Sequence, residues 1–414
     1  MNWEKHKLGS LVKVISGFAF KSRDFKSNGD IPVIKIKDIQ KERVVISEEY
    51  FLDKSFLQID KKFHCQKGDI LISLTGSHIT LPNSVVGRIA KYQYDKTSLL
   101  NQRAGKIIVL KENVLDNDFL YYYLCQEEIR TELALFGRGG ANQVNISPKN
   151  VESIDVTIPP IEIQKRIADI LSNYDDLIEN NLKRINLIEQ AAQNIYKEWF
   201  VNMRFPGYES AEIDLETGLP EGWKKETVKD YVKIASKGPS LNYNTDSGIP
   251  VLNQSCVRNK EIELEKIRYA EELKENKSHC YLQINDILIN SMGQGTLGRV
   301  SKNNSIKDRF IIHNCLTFLR AKDIYSQAYL FHFISSKEDY FISIAQGSTG
   351  QTTLKLELVT CLEITIPSTR LLKAFDKIVL DFWSQIGNLK QQNKKLKQAR
   401  DILLPRLMNQ TIEV

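Results

Sequence analysis

The feature of this sequence that most constrains its fold is an internal repeat. Short motifs of the first half return in the second half in the same order, so we expect two copies of one structural unit. The matching segments are 31–34 (IPVI) and 249–252 (IPVL), 68–72 (GDILI) and 285–289 (NDILI), 86–89 (VGRI) and 297–300 (LGRV), Asn101 and 313–314 (HN), 119–120 (FL) and 329–330 (YL), 137–140 (GRGG) and 347–350 (GSTG), and 158–159 and 366–367 (both IP).

The spacing of the apolar residues changes after each Ile-Pro pair. Before it, short runs rich in Val, Ile and Tyr alternate with Gly, Asn, Asp and Pro, which is typical of many short strands with a few helices. After it, apolar residues recur at spacings of three and four, which is typical of long amphipathic helices. These positions are Ile163, Ile167, Ile170, Tyr174, Ile178, Leu182, Ile185, Ile188, Ala192, Ile195 and Trp199 in the first copy, and Leu372, Phe375, Val379, Phe382, Ile386, Leu389, Leu396, Leu403 and Leu407 in the second. The predicted fold is mixed α/β, with two tandem α/β domains that are each followed by a long helix.

The first of these helices would extend from Ile161 to Met203, which is about 43 residues and about 65 Å at 1.5 Å per residue. A helix of this length cannot bury its apolar stripe alone, so we expect the two helices to pack as an antiparallel coiled-coil pair. Such a pair would relate the two domains by an approximate two-fold axis. Asn393 interrupts the second stripe, and it either fixes the register of the pair or is a solvated position.

Proline and glycine mark the junction between the copies. RFPGY at 204–208 ends the first helix, and GLPEGW at 218–223 begins the second copy. The expected division is a first domain at 1–159, a central helix at 160–203, a linker at 204–221, a second domain at 222–367 and a C-terminal helix at 368–410.

The motifs of known enzymes are absent or incomplete. Gly293, Gly295 and Gly298 have the GxGxxG spacing of dinucleotide-binding proteins, but the residues that follow are typical of a turn, so we expect a hairpin loop. There is no Walker A and no Gly-x-Ser-x-Gly motif, and the six histidines at 6, 64, 78, 279, 313 and 332 are isolated. The only Pro-Pro pair, at 159–160, lacks the flanking residues of an adenine-methyltransferase loop. We expect a non-catalytic protein without a cofactor.

Composition indicates the cellular setting. Lys and Arg exceed Asp and Glu by 57 to 51, and the formal charge of +6 permits a polyanionic partner. The six cysteines form no CxxC pair and no zinc pattern with His, which indicates reduced thiols and no metal. We find no signal peptide and no run of about 18 apolar residues, so we expect a cytoplasmic protein without a membrane segment.

The order of motifs resembles the specificity (S) subunit of type I restriction-modification enzymes. The motifs that carry the resemblance are GDILIS (68–73), VGRIA (86–90), the Asn-Gln step at 101–102, GANQVNIS (140–147), IPPIEIQKRIADIL (158–171), and the junction from FPGYE (205–209) to GLPEGW (218–223). The second copy departs from the pattern, because IPSTRLLKAFDKIVL (366–380) lacks the second proline and the glutamine of the first copy.

The resemblance implies a division of labour. Each domain would be a target-recognition domain that reads one half of a bipartite site in double-stranded DNA. The helices would set the spacing between the half-sites and dock two methyltransferase subunits, which bind S-adenosylmethionine and methylate adenine. Separate motor-nuclease subunits would add ATP-dependent DNA cleavage. The alternative is a scaffold of duplicated domains that binds other proteins and not DNA.

Candidate DNA-binding residues lie in equivalent loops of the two copies. Sequence readout requires Arg, Lys, Asn, Gln, Ser or Thr at base edges, and loops on a rigid scaffold present such groups best. The candidates are Lys21, Ser22, Arg23, Ser77, His78, Asn101, Gln102, Arg103, Arg138, Asn142 and Gln143 in the first copy, and Lys237, Gln254, Arg258, Gln294, Thr296, His313, Asn314, Ser348, Thr349 and Gln351 in the second. Each is equally well explained as a solvated or turn-capping residue, and the 137–145 loop can be structural. Their recurrence in register favours binding.

The C-terminal helix also carries a cluster of basic residues, namely Lys390, Lys394, Lys395, Lys397 and Arg400. We interpret this cluster as an exposed helix face. The alternative is a surface that contacts the phosphates of the spacer DNA or a partner subunit.

Overall fold

The computed structural model describes residues 3–414 except positions 48, 82–83, 141–142, 245–246, 259, 294, 324, 326 and 348–351. The chain divides into two compact units, of which unit 1 consists of residues 1–181 and 391–414 and unit 2 of residues 182–390. Each unit therefore contains one globular α/β part and a segment of each long helix. The mixed α/β class with two tandem domains agrees with the prediction from the sequence.

In its described residues, the globular part of unit 1 consists of many short strands and three short α-helices, as the pattern of its sequence predicts. The strands are β1 (Glu4–Lys7), β2 (Val12–Ser16), β3 (Ile31–Ile34), β4 (Glu42–Arg43), β5 (Phe51–Leu52), β6 (His64–Cys65), β7 (Ile70–Ser73), β8 (Thr75–Gly76), β9 (Ile89–Lys91), β10 (Ser98–Leu100), β11 (Ala104–Val109), β12 (Arg138–Gly140), β13 (Gln143–Asn145) and β14 (Asp155–Ile158), and the helices are α1 (Asn117–Leu124), α2 (Glu127–Leu135) and α3 (Pro148–Glu152).

The strands of unit 1 form several small sheets. A five-stranded sheet has the order β2-β11-β7-β9-β4, a four-stranded sheet β5-β3-β10-β6, and a three-stranded sheet β12-β13-β8. The first and last strands, β1 and β14, pair antiparallel, with Glu4 opposite Ile158. Pro159 follows β14 at once and cannot donate to the ladder, so the strand ends there and the long helix begins two residues later.

Unit 2 repeats these elements. Its strands are β15 (Lys224–Thr227), β16 (Val232–Lys237), β17 (Tyr243–Asn244), β18 (Ile249–Leu252), β19 (Val257–Arg258), β20 (Glu261–Ile262), β21 (Arg268–Ala270), β22 (Ile287–Asn290), β23 (Val300–Lys302), β24 (Ile311–Ile312), β25 (Leu316–Ala321) and β26 (Glu363–Ile366), and its short helices are α5 (Val228–Tyr231), α6 (Gln327–Ser335), α7 (Glu338–Ile344) and α8 (Leu356–Thr360).

The topology of unit 2 confirms the sequence repeat. The order β16-β25-β22-β23 reproduces β2-β11-β7-β9 of unit 1. The parallel pair of β18 with β24 reproduces that of β3 with β10. Strands β15 and β26 again join the beginning and the end of the domain, with Lys224 opposite Ile366. The two copies thus share their strand pairing as well as their motifs.

The long helices are α4 (Ile161–Tyr196), which continues into a π-helical turn at Lys197–Val201, and α9 (Thr369–Met408). In unit 1 their segments run antiparallel, because Asp175 pairs with Arg400 while the amide of Asn181, further along α4, donates to Oδ1 of Asn393 at 2.8 Å. Ile167 of α4 and Leu407 of α9 join the main apolar core of this unit.

The helix segments of unit 2 also run antiparallel. Ile185 of α4 packs with Ile386 and Leu389 of α9, while Tyr196, further along α4, contacts Phe375, which lies earlier in α9. Tyr196 and Phe375 belong to the same apolar core as the sheet of this unit. Each globular part is therefore packed against segments of both helices.

At Leu182 and Arg400 the long helices differ from the prediction, and at Asn393 the structure decides between the two predicted alternatives. Leu182, predicted to lie in the apolar seam, is 41% exposed, and Asn181 takes the buried position beside it. Asn393 is not a solvated residue, because its side chain accepts the hydrogen bond from Asn181. Arg400 does not belong to an exposed basic face: it is buried and pairs with Asp175 and Asp401. Charge neutralisation by these carboxylates permits its burial.

Candidate nucleic-acid interface

A tight turn, which we call the central turn, precedes strand β11 in unit 1 and the equivalent strand β25 in unit 2. In unit 1, the amide of Ala104 donates to the carbonyl of Asn101 at 2.9 Å, and in unit 2 Leu316 donates to His313 at the same distance. The amides of Asn101 and His313 in turn donate to Ile34 and Leu252, each at 3.0 Å. Asn101 and His313, which match in the sequence, therefore begin the same kind of turn at equivalent positions of the two units.

On one side of this turn lies a glycine-led loop. In unit 1 the amide of Gly17 donates to Ala104 at 2.9 Å, and an added Cβ at Gly17 would lie 2.3 Å from the carbonyl oxygen of Leu100. Gly238 makes the matching bond to Leu316 at 3.3 Å in unit 2. Only glycine permits this close approach of two backbones. In unit 1 the loop continues into the exposed residues Lys21, Ser22 and Arg23.

On the other side of the turn lie two further segments. In unit 1, Leu74 donates to the carbonyl of Arg103 at 3.0 Å, and Ile146 donates to Leu74 at 2.8 Å. In unit 2, Ser291 donates to Cys315 and Leu354 donates to Ser291, both at 2.9 Å. Backbone hydrogen bonds thus hold four segments side by side in each unit. We call 17–23, 101–103, 74–78 and 143–146 loop face 1, and 237–240, 313–315, 291–293 with 295–296, and 353–354 loop face 2.

Most predicted residues of loop face 1 are exposed, namely Lys21, Ser22, Arg23, His78, Gln102, Arg103 and Gln143. His78 contacts the hydroxyl of Thr80 at 2.8 Å, and Ser77 is half-buried, with its carbonyl accepting a bond from Ser84. Asn101 is only 9% exposed, and its backbone amide and carbonyl bond to Ile34 and Ala104. Arg138 lies in β12, and Asn142 lies outside the described residues.

The predicted residues of loop face 2 make more bonds within the domain. The ammonium of Lys237 donates to the carbonyl of Leu354 at 2.9 Å, and burial lowers the pKa of Lys237. Burial also lowers the pKa of His313, whose Nδ1 contacts the thiol of Cys315 at 3.2 Å. The amide of Asn314 donates to Ser240 at 2.7 Å. These contacts give Lys237, His313 and Asn314 a part in positioning the loops.

The buried side chain of Asn290 connects the backbones of Gln254 and Thr296. Its side-chain amide donates to the carbonyl of each residue at 3.0 Å, which fixes the loop after β22 against the turn that follows β18. Arg258 lies nearby, where it donates to the carbonyl of Ser255 at 3.3 Å and faces Glu263. Gln294, Ser348, Thr349 and Gln351 lie outside the described residues.

The GxGxxG segment forms the hairpin loop that the sequence predicts. Strand β22 ends at Asn290, and the segment leads directly into β23, which pairs with β22 antiparallel. Gly293, Gly295 and Gly298 all have positive φ, which suits turns and not the first turn of a helix. Hence this segment lacks the helix N-terminus that a dinucleotide pyrophosphate would need.

Two further properties concern the described part of the chain. Within residues 3–414 and outside the gaps named above, no three His, Cys, Asp or Glu side chains are grouped so that they could ligate a metal. In the same residues, no helix has both the length and the apolar character required to traverse a bilayer.

Two segments of the chain, residues 1–190 and 220–399, match the family model of the type I restriction modification DNA specificity domain. The chain belongs to this family. The two matched segments correspond to the two copies of the repeat, and both loop faces lie within them. The type I specificity family thus accounts for the duplication, and the chain is a specificity subunit with two target-recognition domains. This assignment favours the first interpretation of the sequence over a protein-interaction scaffold.

Relatives within the family span nearly the full chain. The MjaIX specificity subunit of Methanocaldococcus jannaschii is 25% identical over 98% of this chain and 93% of its own length. The HindI specificity subunit of Haemophilus influenzae is 22% identical over 99% of both chains. The crystal structure of the type I S subunit from M. genitalium has the same fold, with a TM-score of 0.53 and 16% identity over 98% of this chain and 96% of that one. Both relatives are named as specificity subunits of type I restriction enzymes.

One potential contact residue escaped the sequence analysis. Phe18 lies in loop face 1 between the turn and Lys21, and its side chain is 38% exposed. From the sequence alone, an aromatic residue such as Phe18 is expected to lie in the core. The only sign that Phe18 lies in a turn was its position directly after Gly17.

Proposed function

We propose that the chain reads a bipartite site in double-stranded DNA, with loop face 1 on one half-site and loop face 2 on the other. The observation that carries this proposal is the duplication of one row of four loop segments, joined by the same backbone hydrogen bonds in each copy. Loops fixed by a rigid scaffold can place side chains at base edges without a large loss of entropy on binding.

The exposed polar residues of loop face 1 are the proposed contacts in the first half-site. Lys21, Arg23 and Arg103 can neutralise phosphates or bind guanine, and Gln102 and Gln143 can bind adenine. Asn101 would instead hold its turn in place, because it is buried and its backbone amide and carbonyl are both bonded, and Lys237 would hold the loops through its ammonium, which donates to Leu354. In unit 2 the proposed contacts are Thr296, His313 and Asn314 of loop face 2, the last two of which also position the loops, together with Gln254 and Arg258, which lie outside this face.

We further propose that function follows the division expected from the sequence. Residues 1–159 and 222–367 would be the recognition domains, 160–203 and 368–410 the spacer helices, and 204–221 the linker. Helix length would then set the gap between the half-sites. The participation of each helix in both units supports this role.

Partner subunits would supply the chemistry. We propose that two methyltransferase subunits dock on the helices, that motor-nuclease subunits complete the complex for ATP-dependent cleavage, and that the complex acts in the cytoplasm. Several apolar side chains on α4 and α9 are exposed and are the positions at which docking can be tested by mutation. They are Leu177 and Leu187 on α4, and Leu380 and Ile402 on α9.

The test is to map methylated adenine in genomic DNA from cells that express the chain with its partner subunits. We expect a motif of two parts separated by a gap of fixed length and unspecified sequence. DNA binding by the purified complex should also weaken steeply with salt, because phosphate contacts release counterions. A complex that retains no DNA at low salt would support the protein-interaction scaffold instead.

A further inference from the structure

Phe18 is an exposed aromatic side chain that is held rigidly. Its amide donates to the carbonyl of Leu100 at 2.8 Å, and its carbonyl accepts from Phe20 at 3.2 Å. The ring centroid lies 5.0 Å from that of Phe20 and 5.4 Å from that of Phe63. Phe20 is buried in a small aromatic core. Phe18 therefore does not have to be ordered when a ligand binds to it.

The surroundings of Phe18 carry more positive than negative charge. The neighbouring exposed residues are Lys21 and Arg23 from its own loop, Lys61 and Lys62 from the turn that contains Phe63, and Arg103 from the central turn. Two carboxylates offset part of this charge, since Asp24 lies 3.9 Å from Arg23 and Asp60 lies 2.9 Å from Lys62. An apolar surface framed by cations suits the groove of a nucleic acid better than a neutral protein surface.

The packing of the Phe18 ring bears on which kind of contact it can make with DNA. Apolar wedges that bend DNA insert between base steps and partly unstack them. Phe18 is 38% exposed, and the rings of Phe20 and Phe63 pack beside it. A ring anchored in this way suits contact with an apolar group at a base edge better than insertion between bases. The apolar group that base pairs present in the major groove is the 5-methyl of thymine.

We propose that Phe18 reads a thymine methyl group in the half-site that loop face 1 recognises, and that Lys61 and Lys62 bind phosphates beside it. This inference rests on the proposed function. The two faces differ here, since Pro239 follows Gly238 where Phe18 follows Gly17. Loop face 2 has no aromatic ring at this place, so Phe18 is a specificity determinant of the first half-site alone.

The test uses the full chain assembled with its methyltransferase subunits, bound to duplex oligonucleotides that carry the mapped target. Each thymine of the first half-site is replaced in turn by deoxyuridine, which removes only the methyl group. We expect one replacement to weaken binding by the wild-type complex about five-fold, since burial of one methyl group contributes on this scale. Phe18→Ala should weaken binding to the thymine duplex by a similar factor and should show no further loss with deoxyuridine.

Two variants serve as controls. Phe18→Leu keeps an apolar group against Phe20 and Phe63 and should retain a preference for thymine. Leu110→Ala removes an exposed apolar side chain just after β11, at the opposite end of that strand from the central turn, and should change neither binding nor the preference.

Three results would overturn the methyl contact: a first half-site without thymine, deoxyuridine replacements that leave wild-type binding unchanged, or a Phe18→Ala complex that still loses affinity with deoxyuridine as the wild type does. In each case sequence-specific binding to the mapped target would persist, and the proposed function would stand. Absence of any sequence-specific complex would contradict the proposed function itself.

Discussion

Removal of the Asp175 carboxylate tests how unit 1 is joined to its two helix segments. Asp175 of α4 accepts a hydrogen bond from the hydroxyl of Tyr122 at 2.7 Å and pairs with Arg400 of α9. One side chain thus connects the globular part and both helices. Asp175→Ala should lower the free energy of unfolding of unit 1, because it leaves the guanidinium of Arg400 buried without its main partner.

The magnitude follows from the exposure of the groups that remain. The side chain of Arg400 is 6% exposed, and loss of one partner of a buried ion pair costs about 3–5 kcal/mol. Asp401 still accepts from Arg400 at 2.8 Å, but it is 44% exposed and compensates only in part. We therefore expect the lower end of the range, about 3 kcal/mol, with the lost bond of Tyr122 included.

Urea denaturation of the full chain, followed by tryptophan fluorescence and circular dichroism, measures this loss. Asp401→Ala is the matched control and should cost less than about 1 kcal/mol. The combined replacement of Tyr122 by Phe, Asp175 by Leu and Arg400 by Met should restore stability close to that of the wild type, because the buried guanidinium, the carboxylate and the phenolic hydroxyl are then removed together. A cost below about 1 kcal/mol for Asp175→Ala, or a combined variant as unstable as the single one, would show that Asp175 does not stabilise the buried charge of Arg400.

Two further predictions concern the helices and a buried carboxyl. Deletion of one heptad from both long helices shortens each helix by about 10 Å. The gap between the half-sites should therefore shorten by about three base pairs, while the sequences of the half-sites stay the same. Methylation mapping measures both the gap and the half-sites, and an unchanged gap would contradict helix length as the spacer. Burial raises the pKa of Asp38 to about 6, so the folded chain binds this proton more tightly than the unfolded chain, and stability should fall as pH rises from about 4 to about 6. Asp38→Asn should therefore be more stable than wild type at pH 8, by up to about 3 kcal/mol, and equal to it near pH 3.5; equal stability at pH 8 in urea denaturation would show that the charge is not penalised.

The repeat was predictable because it depends on local patterns. The segments 31–34 and 249–252 form equivalent strands, and Asn101 and His313 begin equivalent turns. Turns and strands are determined largely by residues that are close together in the sequence. Comparison of the two halves of the sequence therefore identifies the equivalent turns and strands. The change to a spacing of three and four located both long helices in the same way.

Long-range contacts were not predictable from those patterns. Arg400 appeared as one more residue of an exposed basic face, and its burial depends on Asp175, 225 positions away in the chain. Leu182 was predicted to lie in the seam, but Asn181, one step or about 100° away on the helix, is the buried residue and bonds to Asn393 of α9. Pairing of β1 with β14 likewise joins the two ends of a domain.

The candidate site was predictable as a set of loops but not residue by residue. Sequence reasoning placed Gln102 and Arg103 in a polar loop, and they occupy the exposed tip of the turn. It could not show that Asn101, directly before them, is buried, because that depends on the carbonyl of Ile34 from another strand. Phe18 was overlooked because its exposure follows from how Phe20 and Phe63 fill the space behind it.

The most direct test of the account is to exchange residues 1–159 for the corresponding domain of another specificity subunit and to map adenine methylation in cells that carry the partner subunits. If each domain reads one half-site, one part of the motif changes to that of the donor, while the other part and the gap are retained. A change in both parts, or a motif that ignores the exchange, would contradict the view of the chain as two independent readers.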